Sequence, residues 1–280
     1  MKVIVTGSSG LLGGFVARAF CEAGHEVLGI DLAPPAGAEP WAHVSADLRD
    51  LGLVLQLIRD ADAVAHAAGI PRPTGSAPAT VFSTNMAINY NVAEAVALAR
   101  IPRLVYASSM SVLGYPFYEE PIAPRFLPLD SHHPIDAQDA YGLSKWLGEE
   151  IVDAACRRRP GLSAVSLRMP WIQSPEGFLA LVEARRARAK LGVRDLWGYI
   201  DGRDAAAAFL AAATWPVEGH RRLFISAADT FMIEKTPDLV AQAFPEARVT
   251  RPLGEYETIF DLTEAHDLLG FAPQYRWRDY

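Results

Sequence analysis

Residues 2–14, KVIVTGSSGLLGG, constrain the fold more tightly than any other stretch: an apolar run leads straight into glycines and then into an apolar helix. Val3, Ile4 and Val5 read as a short central strand. Gly7, Gly10 and Gly13 fall in the turn and first helical turn after it, where the lack of a Cβ lets backbone approach a ligand. A helix opening at about Gly10 presents unpaired N–H groups and the positive end of its dipole, which bind phosphate without a Lys or Arg. The ligand expected is a dinucleotide, with Leu11 and Leu12 beside the glycines in the binding turn.

The spacing is G-x-x-G-x-x-G, not the commoner G-x-G-x-x-G, so the rest of a βαβ unit has to be present for the motif to carry weight. A helix over 11–23 ends at Gly24, and a second strand over 25–30 closes on Asp31, whose carboxylate can accept ribose hydroxyls. Leu32, Ala33 and Pro34 follow, with no Arg or Lys to neutralise a 2′-phosphate. Asp31 therefore favours NAD over NADP.

The chain of 280 residues suits one large α/β domain with a small appended lobe. Its net charge of −7 argues against general binding to nucleic acid or to anionic membrane. Cys21 and Cys156 sit in amphipathic helices without a partner at ligand spacing, and read as buried free thiols. No apolar run approaches a membrane span, and with the first strand starting at residue 2 no cleavable signal is expected. Without a disulfide framework, the expected compartment is the cytoplasm. No metal site is expected.

Along the chain, 33–40 is a Pro/Gly-rich loop, and SADLRD then precedes a helix over 51–59. Asp47 and Leu48 either lie near an adenine, or Asp47 or Asp50 caps that helix; both readings stand. A third strand over 63–69, AVAHAAG, thins to Ala67, Ala68 and Gly69 where backbone would pass a cofactor, and His66 reads as positional. A loop over 70–78 offers a substrate entrance, followed by a helix over 80–99 and a strand over 103–107 that ends on Ser108 and Ser109. The long Pro-rich loop 110–138 is expected to cover a site. A strong helix spans 139–159, then a strand 163–168 and a basic helix 176–190 carrying Arg185, Arg186, Arg188 and Lys190, which is either a solvated face or an anion clamp. Expected later elements are a strand over 196–200, a helix over 201–214, a strand over 222–226 and helices over 236–244 and 262–269. Residues 1–169 thus read as an NAD-binding core and 170–280 mainly as a substrate lobe, part of it returning to the core.

Tyr141 and Lys145 are i and i+4, so both project from one face near a helix start. Together with Ser109 at a strand end they form an acid–base constellation. A phenol acting as general base near neutrality needs a downward shift of about 3 units, or ~4 kcal/mol. The Lys145 ammonium is placed to favour the phenolate, and Ser109 to hold the substrate oxygen.

With these pieces in place the sequence resembles the extended short-chain dehydrogenases/reductases, the NAD-dependent epimerase/dehydratase family. The resemblance lies in TGSSGLLG at Thr6–Gly13, Asp31, DLRD at Asp47–Asp50, HAAG at His66–Gly69, ASSMSVLG at Ala107–Gly114, YGLSK at Tyr141–Lys145 and the tail DLTEAHDLLGFAP. It implies a doubly wound parallel sheet, NAD as cofactor, Ser109, Tyr141 and Lys145 as the catalytic trio, and Asn85 near cofactor and substrate. Helices 81–99 and 141–157 are by the same analogy a homodimer face.

Leu113 replaces a Tyr common in the family, and Arg168-Met-Pro-Trp-Ile-Gln lacks the Asn that many nucleotide-sugar epimerases carry there. Met110 and Ser111 stand where the dehydratase branch has Asp-Glu. The chain is also short for a UDP-glucose 4-epimerase. The expected activity is that of an NAD-dependent oxidoreductase or epimerase, with hydride transfer at a hydroxyl-bearing carbon of a sugar, sugar acid or nucleotide sugar; the sequence leaves both branches open. Similarity to uronate dehydrogenases would place Ser109, Ser111, Arg168, Trp171 and the segment Trp197–Tyr199 around a small substrate. A silent NAD-sensing protein is the alternative from another class, and the complete trio argues against it.

Overall fold

The computed structural model describes residues 1–176, 178–186 and 189–279. Its centre is a seven-stranded, wholly parallel sheet built from β1 (Lys2–Thr6), β2 (Glu26–Asp31), β3 (Ala42–Ser45), β4 (Ala63–His66), β5 (Arg103–Ser109), β7 (Ser163–Met169) and β10 (His220–Phe224), in the order β10-β7-β5-β4-β1-β2-β3. The remaining short strands are β6 (Phe126–Leu127) with β11 (Arg248–Val249), and β8 (Trp171–Gln173) with β9 (Tyr199–Asp201), again parallel pairs. The chain reverses its winding direction between β1 and β4, the crevice where open α/β sheets bind ligands.

Helices cover both faces because each carries one apolar stripe that needs a partner. On one face α1 (Leu11–Glu22) packs against α7 (Gly202–Thr214), over a core that includes Val3, Val5, Phe20, Leu167 and Phe209. The approach is close: a Cβ on Gly202 would lie 2.4 Å from the Phe15 ring. On the other face lie α2 (Leu51–Ile58), α3 (Pro78–Leu98) and α4 (Ala140–Arg158), over Ile4, Ile30, Val64, Leu104 and Tyr106. Gly148 lets α4 settle on the sheet, since a Cβ there would meet Tyr106 Oη at 2.2 Å.

A separate apolar cluster forms beyond the carboxyl ends of the strands. It joins Val112, Leu113, Tyr115, Leu127 and Leu129 of the long loop to Phe178 of α5 (Phe178–Arg186), to Leu196 and Trp197 after α6 (Ala189–Arg194), and to Phe231, Phe244 and Phe260. Val240 of α8 (Thr236–Ala243) joins the same cluster, while Ala265 and Leu269 of α9 (Thr263–Leu269) join the core under α1 and α7. The Ala-rich α7, β10 and α9 therefore belong to the sheet core, although they lie in the second half of the chain.

Several boundaries differ from the sequence-based expectations. β3 is a half-exposed edge strand, AHVS, without the buried alternation that marks a strand. Leu196 and Trp197 are not strand residues: both adopt positive φ, 52° and 54°, in a turn where Trp197 N–H donates to the Gly192 carbonyl at 2.9 Å. The seventh strand starts two residues early, at His220, because its ladder with β7 begins opposite Ala164. Cys21 and Cys156 are free but only partly buried. The basic cluster at 185–190 lies outside the residues whose side chains are described. Among the described residues, no helix is long and apolar enough to cross a membrane.

Candidate active site

A cleft of about 1170 Å³ opens at the carboxyl ends of the strands, over the switch point. Its lining begins with Asp31, Asp47 and Leu48, continues through Gly7, Gly10, Leu11, Leu12, Gly13, Ala67, Ala68 and Gly69, and reaches Ser109, Ser111, Tyr141, Lys145 and Trp171. Asp31 closes β2 and Ser109 closes β5, three strand spacings away in the order β5-β4-β1-β2, or roughly 14 Å. That span suits a dinucleotide laid across the sheet edge.

The turn after β1 is shaped by backbone that admits no side chain. Gly7 has φ +76°, and a Cβ on it would fall 2.7 Å from the Ala68 nitrogen; a Cβ on Gly13 would fall 2.0 Å from the Gly7 carbonyl oxygen. The first turn of α1 has neither a side-chain cap nor an acidic residue, so its N–H groups remain for an anion. Asp31 is steadied by Ser9 N–H at 3.1 Å and Leu32 N–H at 2.7 Å. These features fit the pyrophosphate and ribose of NAD, which would be held by Gly7–Gly13 and Asp31. The question left open at 47–50 resolves by geometry: Asp50 caps α2 by accepting Leu53 N–H at 3.0 Å, while Asp47 lines the cleft and pairs with Arg49 at 2.6 Å.

At the other end, Ser109 Oγ donates to Ser111 Oγ at 3.0 Å and accepts from Ser111 N–H at 3.1 Å. Asp139 caps α4 through the N–H groups of Tyr141 and Gly142, which sets Tyr141 in the first turn. Lys145 Nζ donates to the Ala107 carbonyl at 2.7 Å and lies 5.7 Å from the centre of the Tyr141 ring. Burial pushes Lys145 down to about 8, with Glu149 acting in the opposite sense. The same burial pushes the Tyr141 phenol up to about 12, although the neighbouring Ser109 hydroxyl pulls it down. The chain alone thus raises the phenol where the sequence predicted lowering, because desolvation outweighs the neighbouring groups.

Four residues expected at the site lie outside the lining of the cleft. Arg168 does not line the cleft: it is buried and forks onto Glu149, Nε to Oε1 at 2.9 Å and Nη2 to Oε2 at 2.7 Å. Trp197 and Tyr199 are also buried away from it, Trp197 against Phe244 and Tyr199 Oη on Asp229 at 2.6 Å. Asn85 is not in the lining either; its amide clamps both backbone groups of Ile70, at 2.8 and 3.1 Å, and donates to Ser144 Oγ at 3.1 Å. It shapes the loop that follows Gly69. His66 is held between Thr6 Oγ1 and Asn89 Oδ1, and burial pushes it down to about 3, consistent with a positional role.

Sequence reasoning missed Phe117, whose ring meets Tyr141 edge-on at 6.1 Å, and Arg72, Thr74 and Asp195, which also line the cleft. Phe117 sits in the Pro-rich loop flagged as a cover, so the loop was legible while the residue was not.

The model of the NAD dependent epimerase/dehydratase family matches residues 3–225 of this chain. The L-arabinose 1-dehydrogenase (NAD(P)(+)) of Haloferax volcanii is 28% identical over 201 residues, 70% of this chain and 76% of its own length. The uronate dehydrogenase of Pseudomonas putida is 30% identical over 171 residues, 60% of each chain. Across the first curated relatives the match spans between 49% and 76% of the relative's length. A solved short-chain dehydrogenase/reductase superfamily protein from Agrobacterium tumefaciens, with bound NAD, superposes with a TM-score of 0.74 at 22% identity, covering 99% of this chain and 93% of that one.

Proposed function

Because the chain belongs to the NAD-dependent epimerase/dehydratase family, we propose that it is an NAD-dependent dehydrogenase that oxidises a hydroxyl-bearing carbon of a small free sugar or sugar acid. One observation carries this: Ser109 from β5 and Tyr141 and Lys145 from α4 meet in the cleft that also holds the glycine turn and Asp31. Two relatives named for dehydrogenation of a sugar and of a uronate support the substrate class.

NAD, when bound, supplies the hydride acceptor and a positive nicotinamide ring. Tyr141 takes the proton of the substrate hydroxyl, and with the hydride of the same carbon passed to that acceptor a carbonyl would be left; Ser109 donates to the same oxygen to hold it in line. Starting from about 12, the phenol needs more positive charge nearby than burial allows it on its own. Lys145 provides part of that charge from one helical turn away, in a low-dielectric site where it acts strongly. Ser111, Trp171 and Phe117 complete the lining on the substrate side. The same family analogy carries a homodimer through α3 and α4, supported by the exposed Tyr90 and Leu98 on α3.

The test is absorbance at 340 nm after mixing the protein with NAD and, separately, glucuronate, galacturonate, UDP-glucose and UDP-galactose. NADH accumulating with a free uronate is the expected result. Interconversion of the UDP-sugars without net NADH would replace this with an epimerase.

A further inference from the structure

Glu149 follows Lys145 by one turn on the same face of α4 and is fully buried. Its carboxylate is enclosed by three strands. Ser108 Oγ of β5 donates to Oε1 at 2.6 Å, Arg168 of β7 forks onto both oxygens, and Arg222 Nε of β10 donates to Oε2 at 3.0 Å. Behind Arg222 stand Glu150, at 3.0 Å, and Asp153. Asp153 Oδ1 pairs with His220 Nδ1 at 2.7 Å, and His220 Nε2 with Ser166 Oγ at 2.7 Å. Ser166 is fully buried in β7, so that chain of hydrogen bonds braces Asp153 and presents no nucleophile. Tyr106 of β5 faces the same space, with Lys145 Nζ 5.1 Å from its ring centre.

Among these described groups two cations, Arg168 and Arg222, meet three carboxylates, Glu149, Glu150 and Asp153, and Lys145 lies one helical turn before Glu149. Glu149 is the member with no exposure and the one that also binds the strand end next to Ser109. A buried carboxylate held this fully is costly to strip of its partners, and its field reaches neighbours with little screening. We propose that Glu149 is a positioning residue for the reaction: it keeps the Lys145 ammonium charged in a dry site and, through Ser108, fixes the end of β5 that carries Ser109. This rests on the role given above to Ser109, Tyr141 and Lys145.

The chain has four lysines, Lys2, Lys145, Lys190 and Lys235, so selective 13C-lysine labelling gives few Cε resonances. Lys145 is assigned by its loss in Lys145→Arg, and its titration is followed from neutral to strongly alkaline pH without any substrate. The expected midpoint is about 8 in the parent protein. Glu149→Gln should lower it by roughly one unit or more, since an opposite charge close by favours the charged form. Arg222→Met removes a cation, leaves Glu149 in place and should move the midpoint the other way. Arg222 is partly exposed, so this variant carries the test if Glu149→Gln does not fold. A midpoint unmoved in the variants that fold, or moved in the same direction by both, overturns the proposal. Turnover of Tyr141→Phe separates the two levels. If that variant still turns over, the trio and this role fall together; if it is inactive while the Lys145 midpoint stays fixed, only the role of Glu149 falls.

Discussion

The Lys145 ammonium donates a 2.7 Å hydrogen bond to the Ala107 carbonyl oxygen, two residues before Ser109, so a single contact ties the helix bearing Tyr141 to the strand bearing Ser109. The same burial that makes this contact dry makes the charge expensive. Lys145 releases its proton at about 8 in the fold, against 10.5 for an ordinary lysine. Unfolding below that window therefore recovers a more comfortable ammonium, and stability rises with pH as it is crossed. Lys145→Met should abolish turnover yet stabilise the protein by about 2–3 kcal/mol below pH 8, a gain that vanishes at strongly alkaline pH. Denaturant melts of both proteins at neutral and alkaline pH check this; a variant less stable than the parent at neutral pH contradicts it.

Asp31→Ala should weaken NAD by tenfold or more, the loss of a hydrogen bond to a charged group being about 1.5–3 kcal/mol, while NADP affinity changes little. Calorimetric titration with both cofactors decides. Equal losses would remove Asp31 from the ribose.

Gly13→Ala and Gly10→Ala separate packing from ligand approach. A Cβ on Gly13 lands 2.0 Å from the Gly7 carbonyl oxygen, backbone that cannot step aside, whereas one on Gly10 lands at 3.3 Å. Gly13→Ala should cost at least the ~1–3 kcal/mol of an overpacked core. Gly10→Ala should melt close to the parent. Similar melting curves for both would show that the turn is looser than described.

Arg168→Leu should destabilise the fold by about 3–5 kcal/mol, because it takes both guanidinium hydrogen bonds from the buried Glu149 carboxylate and leaves it only Ser108 and Arg222. A raised KM with unchanged melting would instead return Arg168 to the substrate.

The βαβ unit and the Tyr141–Lys145 pair were legible because their information is local: glycine spacing, a strand ending on Asp31, and two residues one helical turn apart. Distances across the sheet were not. Arg168 at the end of a strand looks the same in sequence whether it faces a substrate or Glu149, and the aromatic run Trp197–Tyr199 suits a binding wall as well as a core. The half-exposed β3 carries no buried alternation to announce it. Proton affinity is hidden for the same reason: the upward push on Tyr141 comes from its burial, which local spacing does not announce. Glu149 had a faint signal, an acidic residue one turn after Lys145 on a face otherwise destined for the sheet.

The central claim is that Tyr141 moves the proton of the substrate hydroxyl. It is tested most directly by NADH formation at 340 nm in Tyr141→Phe, with NAD affinity measured on the same preparation and the parent protein run beside it on the same candidate uronate. The expected result is NAD binding near the parent's and turnover reduced by at least 10²-fold, the scale of a lost general base. Turnover at the parent rate with NAD bound would contradict it.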